Sequence, residues 1–244
     1  LEPDSRFFFV GFNVTIPPFD NKKVRQALAY TLDRKRFVET LEGGVGTPQA
    51  LPWPTLSPAY EASKASTYSW DLDKAKSLLS AAGVSNLQME VWPVSLYPEM
   101  ADFAQIQQAD LAKVGVTLTI KKVDLAAWIA MVVGHKYNGF YSTAQGSAQL
   151  QPTTLMSGAP YKDPGNNSGF VSDAYTKLQV ALATEPDATK RKALYSQMND
   201  LLLDEAFVLP IATSPFRVVA RAGLKNITFL LHDSINFKEA WLDS

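Results

Sequence analysis

Apolar and polar positions follow two periods along this chain, and their alternation predicts its elements. Arg6 to Asn13 (Arg-Phe-Phe-Phe-Val-Gly-Phe-Asn) is an aromatic, β-prone run bounded by turn residues, which predicts a buried strand. Pro17 and Pro18 hold the backbone extended and remove two donors, so the strand cannot continue through them. Val24, Ala27, Leu28 and Leu32 then recur at helical spacing, behind Asp20 or Asn21 as the cap. Asp33 can cap a second helix with Phe37, Val38 and Leu41 inward, stopped by Gly43-Gly44. Gly43 to Pro58 carries Trp53 and reads as an irregular loop. Asp71 caps a short helix (Ala75, Leu78, Leu79, Ala82) that ends at Gly83.

Leu87, Met89 and Val91 alternate with Gln88 and Glu90, as on a half-buried strand. Pro98 suits the first turn of a helix whose Phe103, Ile106, Asp110, Leu111 and Val114 share a side, with Gly115 as the stop. Val116, Leu118 and Ile120 alternate again. Strand, long crossover and strand form a βαβ unit, so the two strands are expected to pair parallel. Leu125 to Val133 reads as a short helix carrying Trp128, and Gly139 to Ala144 as a strand. Ser147 to Gly169 is rich in Gly, Pro, Asn and Ser and reads as a long functional or mobile loop. Helices over Asp173–Ala183 and Asp187–Glu205 follow, the second with Leu194, Met198, Leu201 and Leu202 inward. Short strands are expected at Phe207–Thr213, placed at a sheet edge by Pro210, and at Arg217–Ala220. The fold class is therefore α/β, a mixed sheet flanked by helices.

Composition narrows the function classes. The 244 residues suffice for one large or two small cores, and no segment approaches a membrane-spanning length. A net charge of −1 without a basic run argues against a nucleic-acid surface. The absence of cysteine removes disulfides, thiolate nucleophiles and cysteine metal sites together, without assigning a compartment. The two histidines, His135 and His232, lack ligand spacing, so no metal or other cofactor is expected. No Gly-x-Ser-x-Gly elbow is present, and Gly43-Gly44-Val45-Gly46 lacks the lysine of a phosphate loop. An enzyme is the weaker class. Trp53, Trp92 and Trp128 each sit beside a loop or a short element. Each is either a core side chain or a stacking face in a cleft.

The stretch Asn-x4-Pro-Phe-Asp-Asn-x-x-Val-Arg-Gln-Ala-Leu-x-x-x-Leu-Asp-Arg, from Asn13 to Arg34, resembles the signature of the family 5 extracellular solute-binding proteins. The turn and helix around Ile106-Gln107-x-x-Asp110-Leu111 are similar to that family as well. The resemblance implies one lobe of a two-lobe, type II-like clamshell that binds a solute and hands it to the membrane permease of an ABC importer. It implies an exported, extracytoplasmic protein, either periplasmic or lipid-anchored, that acts as a monomer. Such proteins are about twice as long as these 244 residues, and Leu1 is not followed by a basic and apolar leader. The stretch therefore reads as a trimmed piece, one substrate-binding lobe over residues 1–244 whose segment 227–244 packs on the other lobe.

On this resemblance the residues expected at the ligand are Asn13, Trp53, Trp128, His135, Tyr141, Gln145, Gly146 and Ser147. In peptide-binding members the strand after the Trp128 helix leads to a Trp and, three residues on, an Asp that pairs with the peptide ammonium. With Pro152 on the family's proline, Gln145 and Ala148 occupy those places, and alanine offers no charge for a buried ammonium. Gln145, Ser147, Gln149 and Gln151 offer neutral hydrogen-bonding groups instead. A peptide-like solute is the expected ligand. The alternatives are an oligosaccharide, and a sensory or protein-binding module that keeps the fold without transport.

Overall fold

The computed structural model describes residues 6–146, 152–215, 217–230 and 234–243. Its centre is a six-stranded mixed sheet in the order β2-β6-β1-β5-β3-β4. The strands are β1 (Arg6–Phe12), β2 (Thr47–Pro48), β3 (Leu87–Pro93), β4 (Val116–Ile120), β5 (Gly139–Gly146) and β6 (Val208–Ser214). β3, α5 (Pro98–Lys113) and β4 form the expected parallel βαβ unit, and β5 continues the parallel set beside β3. β1 lies antiparallel between β5 and β6. A mixed α/β lobe is thus what the alternating periods specify.

Both faces of the sheet are covered, which is why β1 reads as a continuous apolar run. Phe8, Val10 and Phe12 face α1 (Lys22–Ala29), α2 (Arg34–Thr40), α4 (Leu72–Ala81) and α5. Phe7 and Phe9 face the opposite cluster, which holds Trp53, Trp128, Tyr141 and the inner sides of α6 (Leu125–Val133), α8 (Asp173–Thr184) and α9 (Ala188–Glu205). The remaining helices are short: α3 (Ala62–Ala65) and α7 (Pro152–Met156). The caps at Asn21, Asp33 and Asp71 are the expected ones, and Asp124 adds a fourth. Asn21, Asp33, Asp71 and Asp124 accept backbone N–H bonds from the first turns of α1, α2, α4 and α6.

Three expectations are corrected. The Gly43–Pro58 loop contains β2, which pairs with Ala212 and Thr213, so β6 is not itself the edge strand. Pro210 is tolerated because β2 covers only the end of β6, and the Pro210 carbonyl accepts from Arg34 Nε at 2.9 Å. Residues 217–220 are not a strand. The tail instead pairs β7 (Leu224–Lys225) with β10 (Trp241–Leu242) and β8 (Thr228–Leu230) with β9 (Ser234–Asn236). The polar stretch before Gly169 is packed where it is described: it holds α7 and buries Asn166, Asn167 and Ser168.

Candidate functional site

The strand directions give the sheet two unlike ends. β3, β4, β5 and β6 all finish at one end, where β1 begins, and Arg6 pairs with both Gly146 and Ser214. In open α/β sheets a ligand crevice lies beyond the carboxyl ends of strands where the strand order switches. β1 makes that switch here by running antiparallel between two strands of common direction. Gln145 and Gly146, the last two residues of β5, are half-buried at this carboxyl edge. Gly158 leaves space for Gln145: a Cβ there would come within 3.0 Å of the glutamine Nε2. Ser147 lies outside the described residues, as do Ala148, Gln149 and Gln151.

The same edge holds charges that local sequence patterns do not single out. The Arg6 guanidinium sits 5.7 Å above the Tyr97 ring. Glu42 is buried and accepts from Ser214 Oγ at 2.7 Å, while Arg217 bridges it with Nη2 on the carboxylate and Nη1 on the Glu42 carbonyl at 2.8 Å. Burial pushes the Glu42 carboxyl above its usual range, and Ser214 and Arg217 pull it partly back. The one sequence clue to this cluster is that Arg6 opens an otherwise apolar strand.

Below the edge, level with Gly11, lies an aromatic cluster of the core. Trp128 is 8% exposed and meets Tyr141 edge-on at 5.5 Å, its Nε1 donating to the Trp92 carbonyl at 3.2 Å. Trp92 is half-buried and donates Nε1 to Glu90 Oε2 at 3.0 Å. Tyr141 stands opposite Gly11 in register, and a Cβ on Gly11 would fall 2.3 Å from its ring, so the glycine makes the room. Burial raises the Tyr141 hydroxyl pKa, opposed by nearby Ser168 and Asn167, and the hydroxyl makes no well-aligned hydrogen bond among the described residues.

The other expected residues are elsewhere. Trp53 is fully buried and donates Nε1 to Asn199 Oδ1 at 2.7 Å, which makes it a core side chain with no face left for stacking. Asn13 and His135 meet at the opposite end of the sheet, about 24 Å from Arg6 at about 3.4 Å per strand residue. Asn13 Nδ2 donates to the His135 and Tyr137 carbonyls at 3.0 and 2.9 Å, and its Oδ1 accepts from Thr15 N and Oγ1. Its hydrogen-bonding capacity is used within the fold. His135 takes a left-handed backbone (φ 50°) and places Nε2 3.3 Å from the Asn166 carbonyl. Of the expected set, the structure therefore groups Gln145 and Gly146 at the carboxyl edge, packs Trp128 against Tyr141 in the core at the level of Gly11, and separates Asn13, His135 and Trp53.

The sheet, its covering layers and its carboxyl edge define one lobe of a two-lobe binding-protein fold. The profile of the bacterial extracellular solute-binding proteins, family 5 Middle, matches residues 1–167, and the chain belongs to that family. A glutathione-binding protein of Pectobacterium atrosepticum is 29% identical over 95% of this chain and 47% of its own length. A heme-binding protein A of Haemophilus influenzae is 30% identical over 84% of this chain and 39% of its own. In fold, the chain superposes on a Pseudoalteromonas dipeptide-binding protein solved with Met-Leu. The TM-score is 0.84 at 23% identity, over 99% of this chain and 49% of that one. The chain thus spans about half the length of the relatives it matches. The family is one of binding receptors rather than enzymes.

Proposed function

We propose that this chain is one lobe of an extracytoplasmic receptor that closes on a peptide-like solute and passes it to an ABC importer. The observation that carries this reading is the pairing of Arg6 with both Gly146 and Ser214. The strand that comes in and the strand that goes out lie side by side at the edge where a ligand crevice forms. A second lobe joined there rotates about the paired strands, and a solute binding both lobes shifts the open–closed equilibrium. The segment 227–244, with Phe237, Trp241 and Leu242 exposed, is then the part that packs on the other lobe. Gln145, Gly146 and Ser147 offer neutral contacts at the crevice, and Trp128 and Tyr141 support its wall. Asn13, His135 and Trp53 hold the frame.

Thermal shift with the two-lobe receptor tests this: a di- or tripeptide is expected to raise Tm, and to raise it further as its concentration increases above Kd. No shift with peptides and a clear shift with oligosaccharides would move the assignment to a sugar. That reading is favoured by one observation, the alanine at position 148 in place of an ammonium-binding acid.

A further inference from the structure

Helix α6 (Leu-Ala-Ala-Trp-Ile-Ala-Met-Val-Val) has no polar side chain in nine residues. Its inner side, with Trp128, Met131 and Val132, belongs to the core. Its outer side is equally apolar and open. Leu125, Ile129 and Val133 are 46%, 47% and 65% exposed at successive turns, with Ala126, Ala127 and Ala130 exposed beside them. A surface helix ordinarily turns polar residues outward, and a continuous apolar outer side marks a contact surface.

Charge identifies the kind of partner. Lys121 and Lys122 precede the helix and Lys136 follows it, all exposed. The nearby acids are Asp124, which caps the helix, and Glu90, which is half-buried, bonded to Trp92 and 3.9 Å from Lys121. A second copy fits poorly, because antiparallel α6 helices across a two-fold would set the lysine pair of one against Lys136 of the other. The receptor's own other half fits poorly too. α6 starts at the carboxyl edge and runs away from it for about 13 Å, so a lobe across that edge would reach Leu125 and leave Val133 bare.

We propose that the outer face of α6 is a contact surface for an anionic lipid bilayer, with its aliphatic row in the interfacial region and the flanking lysines on the headgroup phosphates. An apolar stripe bracketed by cations is what such a surface recognises. Membership of a family of extracellular proteins puts a membrane leaflet within reach, and nothing here depends on the identity of the solute.

Sedimentation with vesicles tests it, using the receptor that carries this chain. Binding is expected to vesicles of phosphatidylglycerol mixed with phosphatidylcholine, not to pure phosphatidylcholine, and to weaken as salt is raised. L125S/I129S/V133S is expected to lower partitioning about tenfold, and K121Q/K122Q/K136Q several-fold with a flatter salt dependence. The single I129S variant, expected to keep Tm and solute affinity while losing part of the binding, separates surface loss from misfolding. No binding of the wild type to anionic vesicles overturns the proposal. So does binding that the aliphatic variants leave unchanged, or self-association that I129S abolishes.

Discussion

The two ends of the sheet differ in how far their side chains are covered, although the carboxyl end also holds the buried Glu42–Ser214 pair. At the amino end, Asn13 alone makes four hydrogen bonds, Glu90 N donates to the Asn138 carbonyl at 2.7 Å, and Tyr137 Oη donates to the Asn167 carbonyl at 2.9 Å. Arg25 adds bonds to the Phe19, Asp20 and Glu205 carbonyls. At the carboxyl end, the side chains Gln145, Tyr97 and Arg6 are only partly covered. A buried, saturated network fixes geometry, because every lost bond strands a buried partner. A half-open edge can change its side chains at small cost to the fold. The long signature from Asn13 to Arg34 belongs to the first kind of region, and this explains why it identifies a family so well and a ligand so poorly.

Substitutions can break or sharpen this contrast. The largest effect is expected at Gly139 in the amino end. It has φ +139°, and an added Cβ would lie 2.1 Å from the Glu90 carbonyl oxygen, so Gly139→Ala is expected to cost about 4 kcal/mol or prevent folding. Asn13→Ala removes hydrogen bonds to three residues, strands the buried Tyr137 carbonyl, and is expected to cost about 3 kcal/mol in urea unfolding. A loss below about 1 kcal/mol would show that the amino end is not the saturated frame described. Trp53→Phe keeps the ring volume but leaves Asn199 Oδ1 without its donor. A loss of about 2 kcal/mol with unchanged solute affinity would place Trp53 in the core.

At the carboxyl end the expected signs separate. Gln145→Ala is expected to change stability by no more than about 0.5 kcal/mol while weakening solute binding about tenfold, as calorimetry on the two-lobe receptor would show. Unchanged affinity would remove Gln145 from the crevice. Glu42 gives the smallest and most pH-dependent effect. Its folded pKa lies above the ordinary 4.5, so the folded state holds this proton more tightly than the unfolded chain does. The contribution is complete below 4.5 and is lost as pH rises through the higher folded value. Wild type is therefore expected to lose stability relative to Glu42→Gln over that rise, and a constant difference would refute the raised pKa.

Much of this frame is legible in the sequence because its causes are local. Asn21, Asp33, Asp71 and Asp124 each precede a helical period, Pro98 sits at a first turn, and the spacing of Leu87–Ile120 admits little but a parallel βαβ unit. The illegible parts have distant causes. β2 is a strand only because Thr213 and Ala212 lie beside it, and the place of β1 between β5 and β6 is a matter of sheet order that periodicity cannot encode. Trp53 and Trp128 look alike in the sequence. Both end up in the core with the indole N–H accepted, Trp53 by Asn199, 146 residues away, and Trp128 by the nearer Trp92 carbonyl, which leaves Trp128 the more exposed of the two at 8%. Asn13 carries a ligand-like side chain, yet its partners at His135 and Tyr137 are over 120 positions away.

The pairing of Arg6 with Ser214 also has a mechanical meaning. Both strands run to the same edge, so a pull applied there between residues 6 and 214 loads the β1–β6 ladder one bonded pair at a time. It peels like a zipper and is not sheared along its length. Such a junction yields at low force yet closes again in register, because Thr213 faces Phe7 and Ala212 faces Phe8 at the first teeth.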